Sequence, residues 1–310
     1  MVNLKLKLFT IVFSCFFIFV SIYLNSNAQE FVKKSESTQY ANKENIYSTI
    51  DYITSYNRCV GSEGETITCK YLKDKLEEYG YIVSFQEFNV YDNIYSKELP
   101  VKSKNVIAKN KKYKSNKKNI YLTAHYDSIK ITNGVIDNST GVSAVLELSR
   151  LLKDSNDCNI IPIFFGAEES GLVGSDFFVN HLSQQEKNNT IGCINFDMIG
   201  VKNSGEIIMW VYEFPYQKKI KKENIIQNML SKYNIKSVIL KNHLEGGTDA
   251  IPFYMEGIPS VTLVNENINL ELSFNESRKT QLESLDLEQI SNICNSISYI
   301  IKNMNKSNEA

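Results

Sequence analysis

Histidine is scarce in this chain: only His125, His181 and His243 occur in 310 residues, so any chemistry that uses imidazole has few side chains to draw on. None of the six cysteines stands in a CxxC pair, the usual signature of zinc ribbons and thiol redox sites. One tryptophan, five prolines and 14 glycines fit neither a fibrous nor a low-complexity chain. Charge of one sign is missing too: 34 basic and 35 acidic side chains give a net charge of −1, without the basic footprint of a nucleic-acid binder. The glycine-rich GGTD at 246–249 lacks the lysine and spacing of a phosphate loop.

Long apolar runs are limited to the N-terminus. There Lys5 and Lys7 precede an apolar stretch from Leu8 to Leu24, followed by Ser26-Asn27-Ala28, a small-x-small pattern. This predicts a secretory signal peptide over residues 1–28 and an extracellular protein; a leader that is not cleaved would instead anchor the chain in a membrane. Removing it shifts the net charge to about −3 and leaves five cysteines. Cys59 and Cys69 flank a short loop and are placed to form a disulfide outside the cell, whereas Cys158, Cys193 and Cys294 lie in apolar contexts and read as buried thiols. Residues 29–43 are polar and aperiodic, a flexible lead-in to one globular domain over 44–305. With 43% hydrophobic residues that domain can bury a full core.

Within it, apolar strand-like runs alternate with helix-like segments. Strands are predicted at 82–90, 105–108, 120–124, 160–165, 191–196, 207–212, 238–240 and 261–264, and helices at 46–56, 66–79, 142–152, 175–182, 218–232, 250–255 and 287–304. The alternation predicts an α/β fold with a mixed, largely parallel central sheet and helices on both faces. In such sheets ligands bind beyond the carboxyl ends of the strands. Acidic residues recur there: His125 and Asp127 follow one strand, Glu168 and Glu169 a second, Asp197 a third. Adjacent glutamates at the end of a central strand repel each other, and a divalent cation would relieve that repulsion while leaving one carboxylate free as a base. His125 with Asp137, Glu169 and Asp197 is an N/O donor set suited to Zn²⁺. Asp127 is placed to fix the tautomer of His125 from behind.

The strings HYDS, DNSTG, FFGAEESGLVGS, NFDMIG and GGTDAIPFYMEGIP, in that order, resemble the secreted di-zinc aminopeptidases of the bacterial leucyl-aminopeptidase type, over most of residues 55–290. The upstream RCVGSEGETITCKYLKDKLEEYGY is similar to the family's N-terminal segment, in which an Arg and a Gly-Ser precede a helix. The resemblance implies a zinc-exopeptidase, phosphorylase/hydrolase-like three-layer sandwich, two zinc ions, and hydrolysis of residues from the free N-terminus of peptides. It assigns His125 and Asp197 to one zinc, Asp137 as a bridge and Glu169 to the second zinc. Glu168 becomes the general base acting on a metal-bound hydroxide, with Asp127 supporting the site. The resemblance implies no nucleic-acid partner.

The pattern breaks at the family's fifth ligand, a histidine before the last helix. The matching region here, SFNESRKTQLESLDLEQI, has none. An ungapped alignment puts Glu276 in that position, one inserted residue puts Asn275 there, and His243 offers a further route. A site of three carboxylates, Asp137, Glu169 and Glu276, favours harder ions and binds zinc more weakly. The loss also admits an alternative, an impaired relative that binds peptide or a surface partner without cleaving it. Glutaminyl cyclases share the fold, but the zinc they keep uses the missing histidine. His181 reads as a surface residue.

Overall fold

Four strands that are apolar on both faces make the centre of the sheet: β3 (Asn119–His125), β4 (Asn159–Phe165), β5 (Thr190–Phe196) and β8 (Ser260–Asn265). The computed structural model describes residues 40–91, 100–214, 224–242 and 247–304. The expected leader, most of the lead-in, His243 and the 218–223 part of one expected helix lie outside them. From Ala41 onward the described residues form one compact unit.

With β1 (Tyr81–Val90), β2 (Val101–Asn110), β6 (Ile207–Tyr212) and β7 (Ser237–Leu240), the strands order as β1-β2-β4-β3-β5-β8-β6-β7. The central β4-β3-β5-β8 block is parallel, as expected for strands buried on both faces. The β1–β2, β2–β4 and β6–β8 pairs are antiparallel, and β6–β7 is parallel. Pro162, which has no N–H to give, sits where the β2–β4 ladder stops, one residue beyond the Ile107–Ile163 pair. The fold is therefore the expected mixed α/β arrangement.

Helices cover both faces. On one, Ile120, Leu122 and Ala124 pack beneath five helices: α1 (Lys43–Ile53), α2 (Glu63–Glu78), α3 (Thr140–Leu152), α6 (Ile225–Ser231) and α10 (Leu287–Asn303). The spacing of Ile46, Ile50 and Ile53 gives α1 its buried stripe, and Asn42 caps it by accepting from the amides of Glu44 and Asn45. On the other face, Tyr121, Ile161, Ile163 and Phe165 meet Phe178 of α4 (Val173–Asn180) and Phe253 of α7 (Ala250–Met255). Their rings are tilted or edge-on at 5.5–6.2 Å, the arrangement aromatic quadrupoles prefer.

Three findings depart from the sequence expectations. The strand β2 starts at Val101, four residues early, because its polar VKSK half pairs with β1 whatever its hydropathy. Three short helices were not expected: α5 (Gln184–Asn188), α8 (Leu270–Phe274) and α9 (Arg278–Glu283). Cys59 and Cys69 are separate thiols, since Cys69 lies on the buried face of α2 and donates to Tyr126 Oη at 2.9 Å. Among the described residues no helix is long and apolar enough to cross a membrane.

Candidate metal centre

Because β4 and β5 run parallel to β3 on either side of it, their carboxyl ends open on one edge of the sheet with His125 in the middle. The chain goes from β3 to β4 on one side and returns to β5 on the other, a topological switch that leaves a crevice at the end of β3. β4 hands over to Gly166-Ala167 and then Glu168-Glu169, and β5 hands over directly to Asp197. The backbone turns sharply at both places: Ala167 and Met198 adopt φ +59° and +48°, a region non-glycine residues seldom occupy.

Asp137 arrives on the Val135–Ser139 turn that leads into α3, through a cis Asp137–Asn138 peptide. The fully buried Asn138 ties this turn to β5. Its Nδ2 donates to Phe196 O at 2.8 Å, and its Oδ1 accepts from Gly141 N at 3.0 Å and Met198 N at 3.3 Å. Gly141 is required there, because a Cβ would stand 2.3 Å from Phe196 O.

The resulting distances are short. His125 Nε2 lies 3.1 Å from Asp137 Oδ1 and 3.6 Å from Asp197 Oδ1. Two overlapping sets of donor atoms, His125/Asp137/Glu169 and His125/Glu168/Asp197, each fall within 4.8 Å of one another. Asp127, fully buried, faces His125 Nδ1 at 3.6 Å, beyond hydrogen-bond length. Its two oxygens instead accept the amides of Glu168 (3.1 Å) and Glu169 (3.2 Å), so one carboxylate holds the glutamate pair in register.

Gathering this many acids out of water is unfavourable unless protons or cations share the site. Burial, aided by Asp249, Asp197 and Glu169 and opposed by His125, holds the Glu168 carboxyl well above its ordinary range. Burial and then Asp137 push Glu169 up to about 9, and burial raises Asp197. Burial alone would lower His125, but Glu168 and contacts with Asp127, Asp137 and Asp197 outweigh it and raise the imidazole well above 6.5. Without a cation, these shifts favour bound protons at Glu168, Glu169 and His125. The buried Glu169 Oε1 and Asp197 Oδ1 have no hydrogen-bond partner, and unpaired carboxylate oxygens beside His125 Nε2 fit Zn²⁺.

Glu276 is in neither donor set; its side chain is exposed, and its carbonyl accepts from Gln281 Nε2. Asn275 is also exposed and donates to Glu271 Oε2. The α8 and α9 helices around them do pack near the turn that carries Asp137. His181 is exposed at the end of α4 with Nδ1 on Phe177 O, and His243 lies outside the described residues. Asp249 was not singled out from the sequence. It is fully buried at the start of α7, both carboxylate oxygens lack partners, and burial pushes it up to about 7. An Asp before a helix reads as an ordinary cap, but this one makes no capping bond. The neighbouring Thr248 is fixed by Tyr212 and Thr262 at 2.7 Å each.

Residues 105–298 match the sequence model of peptidase family M28. The chain belongs to this family. Among similar proteins, aminopeptidase YwaD of Bacillus subtilis (strain 168) is 35% identical over 146 residues, 47% of this chain and 31% of that protein. Leupeptin-inactivating enzyme 1 of Streptomyces exfoliatus is 30% identical over 217 residues, 68% of this chain and 45% of that protein. The chain thus spans less than half the length of these two curated relatives. In fold it is similar to the solved aminopeptidase of Aneurinibacillus sp. strain AM-1, with a TM-score of 0.71 at 19% identity over 86% of this chain and 94% of that one.

Proposed function

We propose that this M28 chain is a secreted zinc aminopeptidase that removes residues from the free N-termini of peptides, with residues 1–28 as its signal peptide and 44–305 as its catalytic unit. The observation that carries the proposal is the convergence of His125, Asp137, Glu168, Glu169 and Asp197 around buried donor atoms that have no protein partner. Zinc ions held by His125, Asp137, Glu169 and Asp197, two in the resemblance, would polarise the scissile carbonyl and acidify a water.

The rest is done by the chain. Glu168 takes a proton from the attacking water at its carboxylate and gives it to the leaving amine, for which a carboxyl raised by burial is suited. Asp127 keeps Glu168 aimed by accepting its amide and that of Glu169. A free α-amino group held at the same zinc centre would favour an N-terminus over an internal bond.

The test is zinc content and hydrolysis of aminoacyl-p-nitroanilides by the purified chain beside Glu168→Gln. The variant should keep its zinc and lose roughly 10²–10⁴-fold in kcat. Equal activity in both would remove Glu168 as the base. A second reading, a peptide-binding relative without turnover, draws on one observation: Glu276 and Asn275, the alternative candidates for the position where the resemblance expects a histidine, are both exposed and in neither donor set. Zinc binding without hydrolysis across a broad substrate panel would favour it.

A further inference from the structure

Arg58 is the largest fully buried side chain of the molecule's described part, and its guanidinium touches no carboxylate there. Every hydrogen bond the guanidinium donates among the described residues goes to a backbone carbonyl. Nε donates to Tyr126 O at 2.8 Å, Nη1 to Asn133 O at 2.5 Å and to Ile53 O at 3.3 Å, and Nη2 to Gly134 O at 2.9 Å. Tyr126 stands between His125 and Asp127, and Gly134 opens the turn that delivers Asp137. One planar, rigid fork therefore spans the gap between two ligand-bearing segments and fastens both to the end of α1.

The neighbours reinforce it. Asn57 Nδ2 donates to Ile129 O, Lys130 O and Thr132 O, and Asn133 Nδ2 returns a bond to Thr54 O. Gly134, at φ +59°, lets the fork lie flush, since a Cβ would meet Arg58 Nη2 at 2.6 Å. A buried cation without an ion pair is costly. Here the acids that offset it through space are Asp127, Asp137 and Glu169, on the side of one donor set.

We propose that Arg58 is a positioning residue: by clamping Tyr126 and Gly134 it presets the His125–Asp137 spacing and thereby the affinity of the whole donor cluster for zinc. This rests on the zinc-peptidase reading above. A lysine would keep the charge but cannot bridge both segments, and a methionine would remove the charge as well.

The full chain, Arg58→Lys and Arg58→Met are stripped of metal and titrated with zinc against a chromophoric chelator, with kcat and KM measured after loading. Wild type should take up two equivalents. In both variants zinc should bind about tenfold or more weakly than in wild type, and kcat should fall more than KM rises. Ser128→Ala, which loses a buried bond to the Arg58 amide but leaves the fork intact, should lower Tm without altering either zinc affinity. Should the Arg58 variants not fold, the Arg58 Nε–H proton of metal-free wild type decides: slow exchange with solvent supports a clamp set before zinc arrives, and fast exchange overturns it. Unchanged zinc affinities in both variants, or full rescue by lysine, would overturn the inference while leaving the peptidase reading intact. Wild type without zinc would overturn both.

Discussion

At Glu169, burial and the charge of Asp137 push the carboxyl up to about 9, and at Asp249 burial pushes it up to about 7. Glu168 and His125 move in the same direction. A folded value above the unfolded one means that the native state binds more protons, so these groups stabilise the cation-free protein at low pH. That stability is lost as pH rises from the unfolded carboxylate range through about 9. The expected result is a Tm in chelator that declines between pH 5 and pH 9, and a flatter profile in zinc, where the cation replaces the protons. Thermal unfolding across that window in both buffers checks the sign; a chelator-treated Tm that rises with pH contradicts it. At this scale His125, Glu168, Glu169 and Asp197 were legible, because each follows an apolar strand run. Asp249 was not: a partnerless buried carboxyl and a solvated helix cap look alike in a string of letters.

The element that decides the site's geometry is the Val135–Ser139 turn, bound to the end of β5 by Asn138. Replacing Asn138 with Ala strands Phe196 O and the amides of Gly141 and Met198 in the interior. The expected cost is about 1–3 kcal/mol in urea unfolding of the metal-free chain. Zinc affinity should fall by about tenfold as Asp137 and Asp197 lose their tie. An Asn138→Ala protein with unaltered affinity would show that the turn holds itself. The four central strands could be read because strands buried on both faces are apolar throughout. The short helices α8 and α9 could not, since five or six residues are too few to show a period. Their position beside the Asp137 turn comes from contacts far along the chain: Arg278 Nε donates to Thr54 O at 3.0 Å, and Thr132 Oγ1 to Ser273 O at 3.3 Å.

For the whole molecule, the proposed ligands span residues 125 to 197 and three adjacent strands, so bound zinc would brace the sheet's open edge. Ligand at a hundred times its Kd stabilises a fold by about 2.7 kcal/mol. Removing zinc from the full chain should therefore lower Tm, and adding it back should raise Tm in proportion to the logarithm of free zinc, which calorimetry at graded zinc concentrations measures. A Tm indifferent to zinc would mean that the cluster is satisfied by protons alone.

Local composition and order by themselves determined the α/β class, the parallel centre of the sheet and the residues after β3, β4 and β5, because strand burial and strand-end chemistry are written within a few neighbouring positions. Only the tertiary structure decided that Asp127 serves the amides of Glu168 and Glu169, that Arg58 spans two loops, and that Glu276 faces solvent. Each of these depends on which distant segments meet at an edge of the sheet. Hydropathy does not encode that meeting, because the partners are backbone groups that every residue carries.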